Sequence, residues 1–285
     1  MPRLAFCCAV SCLLLCRVLS SVCRVLSSVV PRLAFCVQPL GLPLLCSGPI
    51  LYSSFIIYHS ALNTLLSATY FGPIQWYQKL NRSGLCYIEQ HDHFIKQTYR
   101  NRCVIATTQG TQALTVPIER YDGLKCKMRD MRISDHGAWR HLHWNALVSA
   151  YGESPFFEFY ADDLRPFFEK RWQFLYDYDL AITEKMCELL DIHPTLRRTE
   201  EYIKLPDSTA DDTTKAALIP SDGIAGNLMQ WADYREVIRP KHPLPDADFQ
   251  PKPYYQVYKQ KFGFLPNLSI LDLLFNEGNE AVLFL

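Results

Sequence analysis

No acidic side chain occurs in this 285-residue chain before Glu89, and ahead of Leu65 the only full side-chain charges are Arg3, Arg17, Arg24 and Arg32. The break divides the chain into a head, residues 1–64, and a part in which one folded domain is expected, residues 65–285. Seven of the eleven cysteines lie in the head, at 7, 8, 12, 16, 23, 36 and 46. Residues 2–7 and 31–36 are identical, and so are residues 16–22 and 23–29. Short copies without drift look like translated repetitive DNA, since solenoid units are longer and each must bury a face against its neighbour.

Two readings of the head stay open. One is a misassigned start, with the protein beginning near Leu65 and residing in the cytoplasm, although no methionine lies between Met1 and Met128. The other is an export or membrane segment. Arg3 precedes an apolar run from Leu4 to Cys16, and the uncharged run Leu33–Tyr58 is long enough to span a bilayer. Pro39, Gly41, Pro43, Gly48 and Pro49 interrupt that second run, which weakens a helix that must satisfy its own backbone. Membrane association is therefore expected only if residues 1–64 belong to the protein.

From Leu65 onward the pattern is strand-rich and then helical. Leu65–Phe71 reads as a buried first strand, broken by Gly72-Pro73. A helix begins at Ile74, and Leu85–Gln90 is a second strand. The runs Cys103–Thr108 and Ala113–Ile118 flank Gln109-Gly110-Thr111-Gln112, a hairpin signal, and Met131–Ile133 is a further strand. Helices are predicted over Ala138–Tyr151, Leu164–Tyr176 and Asp179–Leu190. Near the C-terminus, Asn267 or Ser269 caps a short apolar helix that Gly278 closes. The expected fold is α/β or α+β, with N-terminal strands and a hairpin followed by packed helices in one domain. Residues 193–252 are rich in proline and acid, and read as a mobile insertion, either a lid or a linker, with one short ordered piece around Met229–Val237.

The tract His91–Arg102 places two histidines, a lysine and two arginines between apolar runs. From Phe94 to Arg102 it contains no Gly, Pro, Ser or acid. Such a tract is either a polar binding surface held by a scaffold or an edge strand protected by charge. If it is a strand, Lys96, Arg100 and Arg102 share one face and can hold phosphate, while Gln97, Tyr99 and Asn101 share the other. His91-Asp92-His93 invites a metal, but no third or fourth ligand is evident, so none is expected. The 29 basic and 29 acidic residues balance, which argues against general nucleic-acid binding. No GxxxxGK[ST] occurs, and no cofactor is identified.

Five blocks, taken in order, carry a resemblance. They are Tyr70-Phe71-Gly72-Pro73-Ile74, Lys96–Arg102, His143-Trp144, Ala150-Tyr151 with Ser154-Pro155-Phe156-Phe157, and Phe264–Gly278. Together they resemble the WbqC-like protein family from about Leu65 to the C-terminus. The resemblance implies a bacterial protein linked to surface-polysaccharide (O-antigen) loci and a glycine or amino-acyl transferase role on an amino sugar. The donor stays open, and the substrate would be a sugar or nucleotide-sugar. The alternative is a non-catalytic protein that binds the same sugar. Acyl transfer to an amine needs a base, for which the candidates are His91, His93, His141 and His143; His143, inside a matched block, is preferred, with His91 beside it as a catalytic candidate. Tyr70 and Trp144, from matched blocks, join Lys96, Gln97, Tyr99, Arg100, Asn101 and Arg102 as candidate substrate contacts.

Overall fold

The computed structural model describes residues 62–121, 123, 125–205, 216–220 and 228–285, all within one compact unit that runs from Ile56 to Leu285. Residues 1–61 lie outside the described residues, and with them nearly all of the head. The chain is a mixed α/β protein built on a five-stranded sheet and a separate hairpin.

β1 (Leu62–Ser67) occupies the centre of the sheet. From Asn63 to Ser67 every residue is buried, as a parallel strand covered on both faces requires. Successive side chains point to opposite faces. Leu65 therefore packs with Leu205 and Trp231 on one side, while Leu66 joins the main core on the other. After β1 the chain crosses through α1 (Ile74–Arg82) to β2 (Leu85–Glu89), which pairs parallel to β1 with Ser67 opposite Glu89. β3 (Arg102–Thr107) and β4 (Gly110–Thr115) form the hairpin, closed by Thr108-Gln109 in a tighter turn than the sequence predicts, with Gly110 at φ +107°. The strand expected over Met131–Ile133 is instead a segment with isolated bridges, Ile118 to Ile133 and Arg132 to Phe174.

Helices α2 (Trp139–Tyr151), α3 (Phe157–Glu169) and α4 (Leu175–Leu189) cover the main core. The helix predicted over Leu164–Tyr176 begins earlier and breaks where its last turns were expected. Its buried stripe, Phe157, Tyr160, Leu164 and Phe168, has helical spacing and reaches back into the Phe156-Phe157 block. Pro166 thus sits inside the helix rather than in its first turn.

Residues 193–252 depart most from expectation. They supply β5 (Thr195–Arg198), β6 (Ala216–Pro220) and β7 (Leu228–Asp233), so the sheet order is β5-β2-β1-β7-β6. β5 pairs parallel to β2 and β7 parallel to β1, with β6 antiparallel on the edge. β7 falls largely within the short ordered piece expected around Met229–Val237, whereas β5 and β6 lie where a mobile segment was expected. The second edge of β1 needs a partner for its backbone, and the Leu65 face needs the cover that Trp231 gives. Tyr234, Val237 and Ile238 then enter the main core. The remaining parts of this expectation, residues 206–215 and 221–227, lie outside the described residues.

The chain ends in α5 (Lys259–Phe262) and α6 (Ile270–Glu277). Ser269 caps α6 as predicted, its Oγ accepting from the Leu271 N–H and donating to the Phe71 carbonyl at 2.8 Å. Gly278 follows at φ +57°. Among the described residues no helix is long and apolar enough to cross a membrane.

Candidate functional site

In open α/β sheets ligands bind beyond the carboxyl ends of the strands, at the point where successive connections leave in opposite directions. β1 has β2 on one side and β7 on the other, so this sheet has such a point at its centre. Each nearby parallel strand ends there in a polar residue. Ser67 ends β1, Glu89 ends β2 and Asp233 ends β7, while Thr199 follows β5. Beside these ends lies a cavity of about 690 Å³ lined by His91, His93, Arg100, Lys127, Tyr202 and Arg235, among others.

Two buried guanidinium groups tie the strand ends together. Arg235 donates to both carboxylate oxygens of Asp233, at 3.0 Å from Nε and 2.8 Å from Nη2, and from Nη1 to Glu89 at 3.1 Å. Glu89 is fully buried, and its other oxygen accepts from Thr199 Oγ1 at 2.7 Å and the His91 N–H at 2.9 Å. Arg100 ion-pairs with Asp92 and donates from Nη2 to Ser67 Oγ at 2.9 Å. Burial pushes the Asp92 carboxyl up, and the Arg100 charge opposes that shift. Asp92 Oδ1 and His91 Nε2 are buried without a hydrogen-bond partner among the described residues.

The strand expected over the polar tract is absent. Residues 91–101 form a turn-rich connection from β2 to the hairpin, with Gln97 left-handed at φ +62°. The alternating faces therefore do not arise, because the chain must double back from the sheet to reach β3. Arg100 turns inward to the cavity, whereas Lys96 and Gln97 are exposed and line a neighbouring cavity. Arg102 starts β3, donating to Thr115 Oγ1 at 3.0 Å. Asn101 is buried, its side chain donating to the Val116 carbonyl at 2.9 Å. Tyr99 is also buried, and its carbonyl accepts from the Tyr70 N–H at 2.9 Å.

His143 lies elsewhere. Its ring is enclosed by Trp139 and Tyr70, and Nδ1 is 2.9 Å from the Tyr70 hydroxyl. Burial pushes its pKa down to about 4. Neither His143 nor Tyr70 lines the 690 Å³ cavity. Trp144, on the same helix, packs on Phe157 and Phe168 and borders a separate cavity of about 290 Å³ beside Arg140 and Arg165. The structure thus brings together His91 and Arg100, and separates them from His143, Tyr70 and Trp144.

Glu89, Ser67, Asp233 and Arg235 escaped the sequence reading. Glu89 carried a usable signal, as the first acid of the chain placed at a strand's end. Arg235 fell within the short ordered piece expected around Met229–Val237 but carried no local signal of a site. Among the described residues no three His, Cys, Asp or Glu side chains group to hold a metal ion.

Fold and site together define a predominantly parallel α/β protein with a charged ligand cavity at the carboxyl edge of its sheet. The chain belongs to the WbqC-like protein family, whose model matches residues 68–283. It is also similar to an uncharacterized protein, Rv1507c, of Mycobacterium tuberculosis strain H37Rv, with 30% identity over 193 residues, covering 66% of this chain and 81% of that protein. No solved structure matches the chain.

Proposed function

We propose that the 690 Å³ cavity binds an amino sugar and that the protein transfers an acyl group, glycyl or a similar small aminoacyl, to its amine in surface-polysaccharide synthesis. The supporting observation is the convergence on one cavity of His91, with an unpartnered Nε2, and of four cationic side chains, Arg100, Lys127, Lys204 and Arg235. Histidine exchanges protons near neutral pH, which suits it to general-base work. In the proposed step the sugar amine attacks the acyl carbonyl and a C–N bond forms. The bond from the acyl carbon to the donor's leaving group breaks, and the amine proton passes to the His91 imidazole and on to the leaving group. Lys127 and Lys204, which pair with no carboxylate among the described residues, would hold the sugar's polar groups and the developing oxyanion. The pathway and the glycyl group rest on the family resemblance, and the site assignment on the cavity.

Mass spectrometry of the small-molecule fraction tests this, after incubating the full chain with nucleotide-linked amino sugars and glycyl donors. A sugar gaining one glycyl unit, lost in His91→Gln and retained in a folded His143→Gln variant, is the expected result. Saturable sugar binding with no acylated product from any donor would replace the transferase with a binding protein.

A further inference from the structure

A second, smaller cavity of about 190 Å³ adjoins the first, and Ile95, Arg100 and Glu236 line both. The two spaces are neighbours on either side of these three residues. Their charge differs. The larger cavity has four cationic side chains against Asp92, Asp233 and Glu236, and its two arginines are already committed to buried carboxylates. The smaller one adds Lys96, Arg239 and Lys241 around the shared Arg100, with Glu236 as its single carboxylate. Glu236 is ion-paired with Arg239. No carboxylate among the described residues pairs with Lys96 or Lys241, and Lys241 donates to Gln97 Oε1 at 3.0 Å at the surface. The left-handed backbone at Gln97 turns this corner of the tract toward the annex. Ammonium groups that no carboxylate among the described residues pairs with, beside a guanidinium and the exposed amide of Gln97, match the chemistry of phosphate.

We propose that this annex is the phosphate subsite of the ligand cavity. The acceptor is then a phosphorylated amino sugar, with its sugar ring in the larger cavity and its phosphate against Lys96 and Lys241. The assignment rests on the amino-sugar reading of the larger cavity and adds the class of acceptor. The phosphate could belong to a sugar phosphate or to a nucleotide-linked sugar whose nucleoside extends outward from the annex.

Calorimetric titration of the full chain discriminates, using glucosamine, glucosamine phosphorylated on its anomeric oxygen, UDP-linked glucosamine and inorganic pyrophosphate. At low salt the phosphorylated sugars should bind about tenfold more tightly than glucosamine, the value of one modest charge-assisted contact. A Lys96→Ala/Lys241→Ala double variant should lose that advantage and keep its affinity for glucosamine. Both side chains are exposed, so the variant is expected to fold, which circular dichroism checks. Tighter binding of the anomeric phosphate than of the UDP sugar identifies the simple sugar phosphate, and the reverse order the nucleotide-linked form. An unchanged phosphate advantage in the double variant overturns the annex while leaving the sugar cavity standing. Pyrophosphate binding that the double variant abolishes, with no sugar bound by wild-type protein, overturns the amino-sugar reading instead. Failure of every probe to bind overturns both.

Discussion

Glu89 makes four hydrogen bonds from a fully buried position, to the His91 and Ile203 N–H groups, Thr199 Oγ1 and Arg235 Nη1. Replacing it with Ala removes one of the two carboxylates that hold Arg235 and leaves the His91 and Ile203 N–H groups and the Thr199 hydroxyl without this acceptor, so Glu89→Ala should cost on the order of 3 kcal/mol in urea unfolding. Two further side chains govern how stability depends on pH. His143 is held neutral, its pKa lowered to about 4, so between that value and the ordinary pKa near 6.5 the unfolded chain binds the extra proton. Stability therefore falls as pH drops through this window, by up to about 3 kcal/mol, and His143→Gln should flatten that slope. Asp179 acts in the opposite sense. It is fully buried, both carboxylate oxygens lack a hydrogen-bond partner among the described residues, and burial raises its pKa well above the ordinary carboxylate value. The folded state keeps a proton that the unfolded state releases above pH ~4, so stability declines as pH rises beyond that point. Asp179→Asn should remove the decline and raise the urea midpoint at pH 7. Neither effect was legible in the sequence, because a residue's solvation belongs to its neighbours.

At the scale of elements, the helices that follow clear rules were read well and the connections were not. The Ser269 cap and the Gly278 stop were both visible, since each answers a local backbone need. At Gly278 an added Cβ would stand 2.8 Å from the Phe156 ring, and the φ of +57° with ψ of −128° is strained for any side chain. Gly278→Ala should therefore lower stability by about 2 kcal/mol or more, read as a fall in thermal midpoint, and adding Phe156→Ala should recover only the steric share. The polar tract illustrates the reverse case. Its alternating cations fit a strand by period alone, but the path from β2 to the hairpin requires a reversal, and the left-handed residue at Gln97 gave no glycine to mark it. As a result Lys96 and Arg100 sit in adjoining cavities rather than along one ladder.

For the whole molecule, the decisive event is the return of the chain to β1 after residue 227. β7 pairs beside the central strand and delivers Asp233 and Arg235 to the carboxyl edge, completing the cavity. If residues 195–238 were dispensable, replacing them with a short flexible linker would leave cooperative folding intact. The structure requires the opposite. Such a deletion removes three of five strands and uncovers Leu65, and should abolish the cooperative unfolding transition seen by circular dichroism.

The amino-acid sequence alone determined the class of fold, the family and the short elements with strong local signals. These follow from period, capping and breaker residues, which act over a few positions. Only the tertiary structure decided which polar residues share a site. Glu89, Ser67, Asp233 and Arg235 are brought together by strand order, and His143 is drawn away from them by the packing of α2. Strand pairing acts between segments more than a hundred residues apart, and burial then sets whether a histidine can meet a ligand or only its neighbours.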